Sequence, residues 1–402
     1  FWKQNEVVNN FKLRVGYGVT GNDGIGDNNF LALIEGGRNY TFGNSGVVTT
    51  GSSPGRISNP DLKWEETIQT NIGFDAKLFN SVNLTVEWYN KKTAGILREN
   101  PIPGYVGAEL PPLANIADMN NSGLEFELGF NKKINELNIS ANSTFAFLKN
   151  EITNLGNNVD YFTGPGFQSM GAVTRTEVGN SYNEFYGFQT NGIFQNQAEI
   201  NSYTNSNGQV IQPNAVPGDF RWKDSNGDGT ITDEDKVYLG SPLPKYTFSF
   251  TLNLDYKGFD LMVFTQGVAG NKIFQGLRRL DMSNANYQTE VLGRWTGEGT
   301  SNSYPRISSS DANGNFTKMS DFYLEDGDYL RLKVVQLGYS LPQSIISKAG
   351  LQKLRLYVTG ENLLTLTKYT GYDPEIGGDV FGIDRGYYPQ ARSFMFGASI
   401  QF

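Results

Sequence analysis

The chain has 402 residues and contains neither cysteine nor histidine, which removes disulfides, thiolate chemistry, Ser-His-Asp and Cys-His catalysis and His-ligated zinc. Its formal net charge of −8 argues against a nucleic-acid partner. Charged residues make up 18%, below the roughly 25% of ordinary soluble domains, while aromatics reach 13% and glycines number 47, a β-rich composition with many loops.

In chain order, the opening "FWKQNEVVNNFKL" reads as the middle of a longer chain without a signal peptide, so a C-terminal portion is expected. Phe11, Leu13, Val15 and Tyr17 then alternate with Lys12, Arg14 and Gly16, the period of two that marks a strand. "GYGVTG" (16–21) matches the dinucleotide fingerprint in letters, but "NDGIGDNN" follows and cannot start the helix that a pyrophosphate needs. The glycines are read as easing a strand into its loop. Ile72, Phe74, Ala76 and Leu78 form the next apolar face, followed by Val82, Leu84, Val86 and Trp88, by Leu124, Phe126, Leu128 and Phe130, and by Leu137, Ile139 and Ala141. "YTFSFTLNLDY" (246–256) alternates without a fault and carries tyrosines at both ends of its apolar face, as at a membrane interface. Further strands are expected near 259–267, 329–339, 353–363 and 393–402. Between 329 and 339 the phase changes, from Leu330 and Leu332 to Val335, Leu337 and Tyr339, which predicts a bulge near Val334.

No stretch approaches the roughly 18 consecutive apolar residues of a transmembrane helix, whereas a barrel strand needs only about 10. A soluble antiparallel sheet with one wet face would give the same alternation. Two features favour a barrel. Tight turns near 79–82, 131–135 and 257–258 alternate with long loops at 20–63, 151–243 and 270–327, and the chain ends on an alternating aromatic strand, "RSFMFGASIQF". Ten strands fit this plan, the last ending on the short-turn side.

"DSNGDGTITDED" (224–235) has the spacing of an EF-hand calcium loop, with Asp224, Asn226 and Asp228 at positions one, three and five, Gly229 at six and Asp235 at twelve. "AVPGDFRW" and "KVYLGSPLPK" flank it and read as extended, so a sensor with two helices is not expected. The functional reading is a structural calcium ion held by Asp224, Asn226, Asp228, the carbonyl of Thr230 and Asp235; the bland one is a metal-free turn. Glu125 and Glu127 share a strand face and are read as solvated acids of a lumen rather than a catalytic pair. The aromatic, amide-rich stretches 39–45, 161–170 and 183–194 would suit sugars or peptide backbones, but self-packing of long loops is the expected role for most of them.

Several stretches together, "NPDLKWEET", "NNSGLEFELGF", "PGDFRWKDSNGDGTITDEDKVYLGSPLPKYTFSF", "DGDYLRLKVVQLGYSLP" and "LRLYVTGENLLTLTKYTGYDPE", resemble the C-terminal half of the SusC/RagA-type TonB-dependent transporters of Bacteroidetes, over nearly the whole chain. The resemblance implies an all-β fold, with 1–402 supplying the C-terminal ten or so strands of an antiparallel transmembrane β-barrel of about 22, and with plug, TonB-contacting segment and first strands absent. The stretch 151–243, carrying the segment 224–235, becomes a long extracellular loop. The implied function is TonB-dependent import of an oligosaccharide or oligopeptide across the bacterial outer membrane, with a SusD-like surface lipoprotein and TonB as partners, lipopolysaccharide around the wall and no covalent chemistry. A docking barrel in a larger outer-membrane assembly is the alternative, and a secreted soluble calcium-binding β-protein a second one.

Overall fold

The computed structural model describes residues 5–24, 26, 29–44, 46–100, 102–103, 105, 110–156, 159–278, 286–376 and 382–402. Ten long strands form one sheet: β1 (Val8–Asn22), β2 (Glu65–Leu78), β3 (Val82–Glu99), β4 (Leu113–Ile134), β5 (Leu137–Asn154), β6 (Tyr246–Tyr256), β7 (Phe259–Ala269), β8 (Tyr329–Ser340), β9 (Lys353–Thr367) and β10 (Ser393–Gln401). Each pairs antiparallel with its neighbour in sequence, so the sheet is an up-and-down meander with β1 and β10 at its edges. The expected strand count holds. β1 extends to Asn22, so all of "GYGVTG" lies inside the strand rather than at its exit, and among the described residues no helix follows it.

Connections on one side are short. Tyr256 pairs with Phe259 across Lys257 and Gly258, whose φ angles of 49° and 89° give the two-residue hairpin turn whose twist matches the flanking strands. The connections 79–81, 135–136 and 341–352 lie on the same side, the last carrying a short helix, Gln343–Ile346. The other side carries the long excursions 23–64, 100–112, 155–245, 270–328 and 368–392. β10 ends beside the start of β9, with Lys353 opposite Gln401, on the short-turn side as expected.

The two faces of the sheet have opposite chemistry. On the outer face Phe250 lies between Ser143 and Thr265, and Leu252 between Ala141 and Val263. Aromatic rings gather toward both ends of this face. Tyr246 lies 5.9 Å from Phe145 and 5.6 Å from Phe147 on the long-loop side, and Phe259 lies 4.5 Å from Tyr339 near the turns. Phe248 lies across Gly267, where a Cβ would come within 2.5 Å of its ring, so the missing side chain makes room for an aromatic neighbour. The inner face is polar. Arg14 bridges Asp75 (3.0 Å) and Glu87 (2.8 Å), Asn142 donates to Glu127 (3.2 Å), the hydroxyls of Thr144 and Ser249 meet at 2.7 Å, and Arg355 pairs with Asp260. Glu127 thus lies on the polar face and is engaged by an amide.

The bulge is present, with Lys333 as the extra residue. Leu332 and Val334 face adjacent residues of β7, Thr265 and Phe264, and on the other side Leu364 and Glu361 of β9. This resets the phase, so that Leu330 and Leu332 precede it and Val335, Leu337 and Tyr339 follow it on the outer face.

The fully buried aromatic side chains Trp222, Tyr323, Phe185, Phe194, Phe220 and Phe274 belong to the long loops rather than to the wall, whose contribution is Ile152 at the long-loop end of β5. Those loops fold into a cap. Its four-stranded sheet uses Tyr161–Thr163, Thr174–Glu177, Glu184–Gly187 and Val237–Gly240, and a three-stranded one joins Lys272–Gln275, Leu324–Asp326 and Ile383–Asp384. One core cluster draws Phe167, Val173 and Phe185 from the first of these loops, Phe274, Met319 and Tyr323 from the second and Ile383 from the third. The wall's share is smaller: Ala117 and Ile152, toward its long-loop end, form a buried cluster with Leu155. Its apolar face, from Leu13 (65% exposed) to Leu366 (56%), is uncovered among the described residues, which is the reverse of a soluble sandwich and what a lipid-facing sheet presents.

Candidate functional site

The acidic loop sits on the cap between two short strands, Phe220–Trp222 and Val237–Gly240, so its flanks are extended as expected. The carboxylates are engaged by the loop itself. Asp224 accepts from the backbone N–H of Gly227 (2.7 Å) and of Gly229 (2.9 Å), one oxygen to each. Asn226 accepts from Asp228 N–H and donates its amide to the Asp228 carboxylate at 3.1 Å. The other Asp228 oxygen takes both the N–H and the hydroxyl of Thr230, at 2.7 and 2.8 Å, and these bonds hold its pKa below the ordinary carboxylate value.

Asp235 differs from the other two acids. It is fully buried and accepts from Ser225 and Thr232 N–H, each at 2.7 Å. It also completes a capping box with Thr232 around the turn Asp233–Asp235. The convergence of Asp224, Asp228 and Asp235 on one point is therefore not found: among the described residues no three acidic side chains gather in a way that would hold a metal ion. "TDED" is a capping-box sequence, and that signal competes with the twelfth position of a calcium loop for the same side chain. Positive charge also arrives from the protein. Lys236 pairs with Asp233 at 2.9 Å. Lys318 lies over the rings of Phe188 (4.9 Å) and Trp222 (5.3 Å); burial pushes its pKa down, and Asp233 and Asp311 pull it back up.

The aromatic stretches divide as self-packing predicts, with one exception. Phe167, Phe185, Phe188, Ile193 and Phe194 are buried in cap clusters. Tyr40 and Phe42 remain two-thirds exposed, edge to face at 4.9 Å.

A second polar constellation escaped the sequence reading. Arg331 on β8 is 3% exposed, and its guanidinium reaches Asp373 at 2.5 Å, Glu375 at 2.7 Å and the Thr365 hydroxyl at 2.9 Å. Lys333, the bulge residue, also binds Glu375, at 2.7 and 2.9 Å to its two oxygens. Asp373 accepts in addition from Gln390 N–H (2.9 Å), so the cluster ties both limbs of the 368–392 excursion to the wall. Nearby, the buried Tyr369 hydroxyl donates to Asp384 at 2.5 Å; burial and that carboxylate push the phenol pKa up. The available signal was the pair of cations in "RLK" facing the two acids of "GYDPE", which chain position alone does not bring together.

With fold and geometry in place, comparison with known proteins is informative. A family model described as "TonB dependent receptor-like, beta-barrel" matches residues 2–363. "TonB-dependent receptor P26" of Formosa agariphila is 33% identical over 416 residues, covering all of this chain and 41% of that protein. "TonB-dependent receptor SusC" of Bacteroides thetaiotaomicron is 29% identical over 419 residues, again covering all of this chain and 38% of that one. Among solved structures, the RagAB peptide importer in its "open-open" state matches with a TM-score of 0.80 and 25% identity, over 99% of this chain and 41% of that chain. The RagAB peptide transporter matches with a TM-score of 0.79 at 24% identity, over 100% of this chain and 42% of that one. The chain spans about two fifths of the length of the relatives it matches.

Proposed function

The chain belongs to the TonB-dependent receptor-like β-barrel family, and from that premise we propose that it forms the C-terminal wall and extracellular cap of an outer-membrane importer. The observation that carries this reading is the ten-strand meander with an apolar exterior, a polar interior and long excursions on one side only. In the proposed whole, β1 and β10 meet the remaining strands of a barrel of about 22, because an open sheet edge has no partner for its N–H and C=O groups in hydrocarbon. Transport is binding followed by gated release, with TonB supplying the energy and a SusD-like lipoprotein covering the long-loop side. The cargo is an oligomeric nutrient, oligosaccharide or oligopeptide; one solved neighbour is a peptide importer by its own description. The wall and cap bind, orient and enclose, and no bond-making step is assigned to their residues.

The test is fractionation and uptake with the full-length protein. It is expected in the outer-membrane fraction, extractable only with detergent, and labelled oligomer uptake is expected to stop when TonB is removed. Recovery of a stable, detergent-free monomer would overturn the reading.

The acidic loop is proposed as a structural calcium site without a sensing role, with Asp224, Asn226, Asp228, the Thr230 carbonyl and Asp235 as its ligands. Its donors are all oxygens, which suits a hard cation, and its extended flanks leave nothing to reorient on binding. The self-made hydrogen bonds and the buried Asp235 weigh toward weak binding, of order 10⁻⁴–10⁻³ M at best. Terbium offers a direct probe because Trp222 lies two residues before Asp224. Indole-sensitised terbium emission, displaced by millimolar calcium and lost in Asp228→Asn, is the expected result. Absence of emission at millimolar terbium assigns the loop as a metal-free turn.

A further inference from the structure

Near the short-turn rim the outer face of the sheet stops being purely apolar. On β4, Leu124, Phe126, Leu128, Phe130, Lys132 and Ile134 share this face, so Lys132 stands where the apolar run gives way. The row above it, Phe130, Ala141, Leu252 and Val263, carries no charge. Its own row crosses five strands as Lys132, Ile139, Leu254, Leu261 and Leu337, and the row beneath it as Ile134, Leu137, Tyr256, Phe259 and Tyr339. Both rows lie on β4 to β8, in the middle of the sheet and away from its two open edges.

Two observations mark a ligand position here. The first is shape. Leu137, Leu254, Tyr256, Phe259, Leu261 and Leu337 line a groove of about 320 Å³. Asp260 also borders it, but its carboxylate turns to the inner face and pairs with Arg355. The second is charge. Lys132 is exposed and makes no ion pair among the described residues. Two strand spacings, about 10 Å, separate it from Leu254, and its long stem can lie along the apolar surface between them. At the rim below the groove Lys257 lies 5.3 Å over the Tyr256 ring and pairs with Glu136 at 3.1 Å, so its charge is matched where that of Lys132 is not.

We propose that this groove holds one glycerophospholipid with an anionic headgroup, its phosphate against the Lys132 ammonium and an acyl chain along Leu254, Leu261 and Leu337. The unmatched cation selects the charge, and the groove selects the chain. A peptide strand gains little here, because β5, β6 and β7 are paired on both sides and offer no free backbone edge. The inference rests on the outer-membrane reading, in which the short-turn rim meets the leaflet on the side away from the cap.

Native mass spectrometry tests it, on the full-length protein released from detergent after incubation with phosphatidylglycerol or with phosphatidylcholine of the same acyl chains. One phosphatidylglycerol is expected to stay bound at collision energies that strip phosphatidylcholine. Lys132→Gln is expected to lower that retention about fivefold, the effect of one cation beside an anionic lipid surface. Leu261→Trp, which fills the groove and leaves the cation in place, is expected to lower it as well. Lys12→Gln removes the same charge from the inner face of β1, three strands away, and is expected to change nothing. Heat-modifiable mobility on gels checks that each variant is folded. Equal retention of the two lipids by the unmodified protein, or unchanged retention in folded Lys132→Gln or folded Leu261→Trp, overturns the proposal. Recovery of a stable, detergent-free monomer overturns instead the outer-membrane reading beneath it, so the two failures are distinct.

Discussion

Replacing Arg331 by leucine is expected to destabilise the folded protein by about 3–5 kcal/mol, the cost of removing one partner from a buried ion cluster. The size follows from what is left behind. Asp373 is nine-tenths buried and Glu375 is largely shielded, and both point at the vacated guanidinium. Lys333 reaches only Glu375, so the Asp373 carboxylate would stay buried without its cation. Removing both sides, in Arg331→Leu with Asp373→Asn, is expected to recover much of the loss, since a buried pair replaced as a unit is often near neutral. Denaturant unfolding of the four variants of this cycle, in the full-length protein, gives the coupling energy. A loss below about 1 kcal/mol for Arg331→Leu alone would mean that the 368–392 excursion is held by something else.

Arginine at Leu252 is expected to cost about 2–4 kcal/mol, provided the middle of β6 lies at the bilayer midplane. Arginine at the next residue, Asn253, is expected to cost much less. The contrast isolates the face, because depth and backbone are nearly the same. Leu252 shares its face with Ala141 and Val263, and Asn253 lies opposite Ser140 and Met262 on the polar inner side. Yields of folded, heat-modifiable protein after refolding into lipid provide the measurement. Equal damage from both substitutions would place the strand one residue out of register, since a single slip exchanges every inward and outward side chain.

The two predictions draw on parts of the molecule that were unequally legible in the sequence. The wall was readable because a strand with one apolar and one polar face writes its environment in every second letter, and "YTFSFTLNLDY" does so over its full length. Even the irregularity at Lys333 showed, because a bulge has to shift the phase of the apolar face. The cap was not readable. Its strands run two to four residues, too short for a period to register. Its core joins Val173, Phe274 and Ile383, which only the completed fold brings together. The Arg331 cluster failed for the same reason, since Asp373 lies some 40 residues further along the chain. In the acidic loop the letters correctly gave a tight turn with extended flanks. What they did not give was the inward rotation of Asp235, where the local capping bond with Thr232 competes with any ion.

The division between meander and cap also sets an order of events. Every pairing in the wall joins strands adjacent in sequence, so it can be added one hairpin at a time at little cost in loop closure. The seam between β5 and β6, which waits on the whole 155–245 excursion, is the longest interruption. The cap core needs Ile383, and so cannot close until the chain has passed β9. A chain stalled before Ile383 would therefore display an open cap, its Phe274 and Tyr323 still wet. The closed surface of the cap is thus a late product of assembly, one that vouches for the nine strands before it.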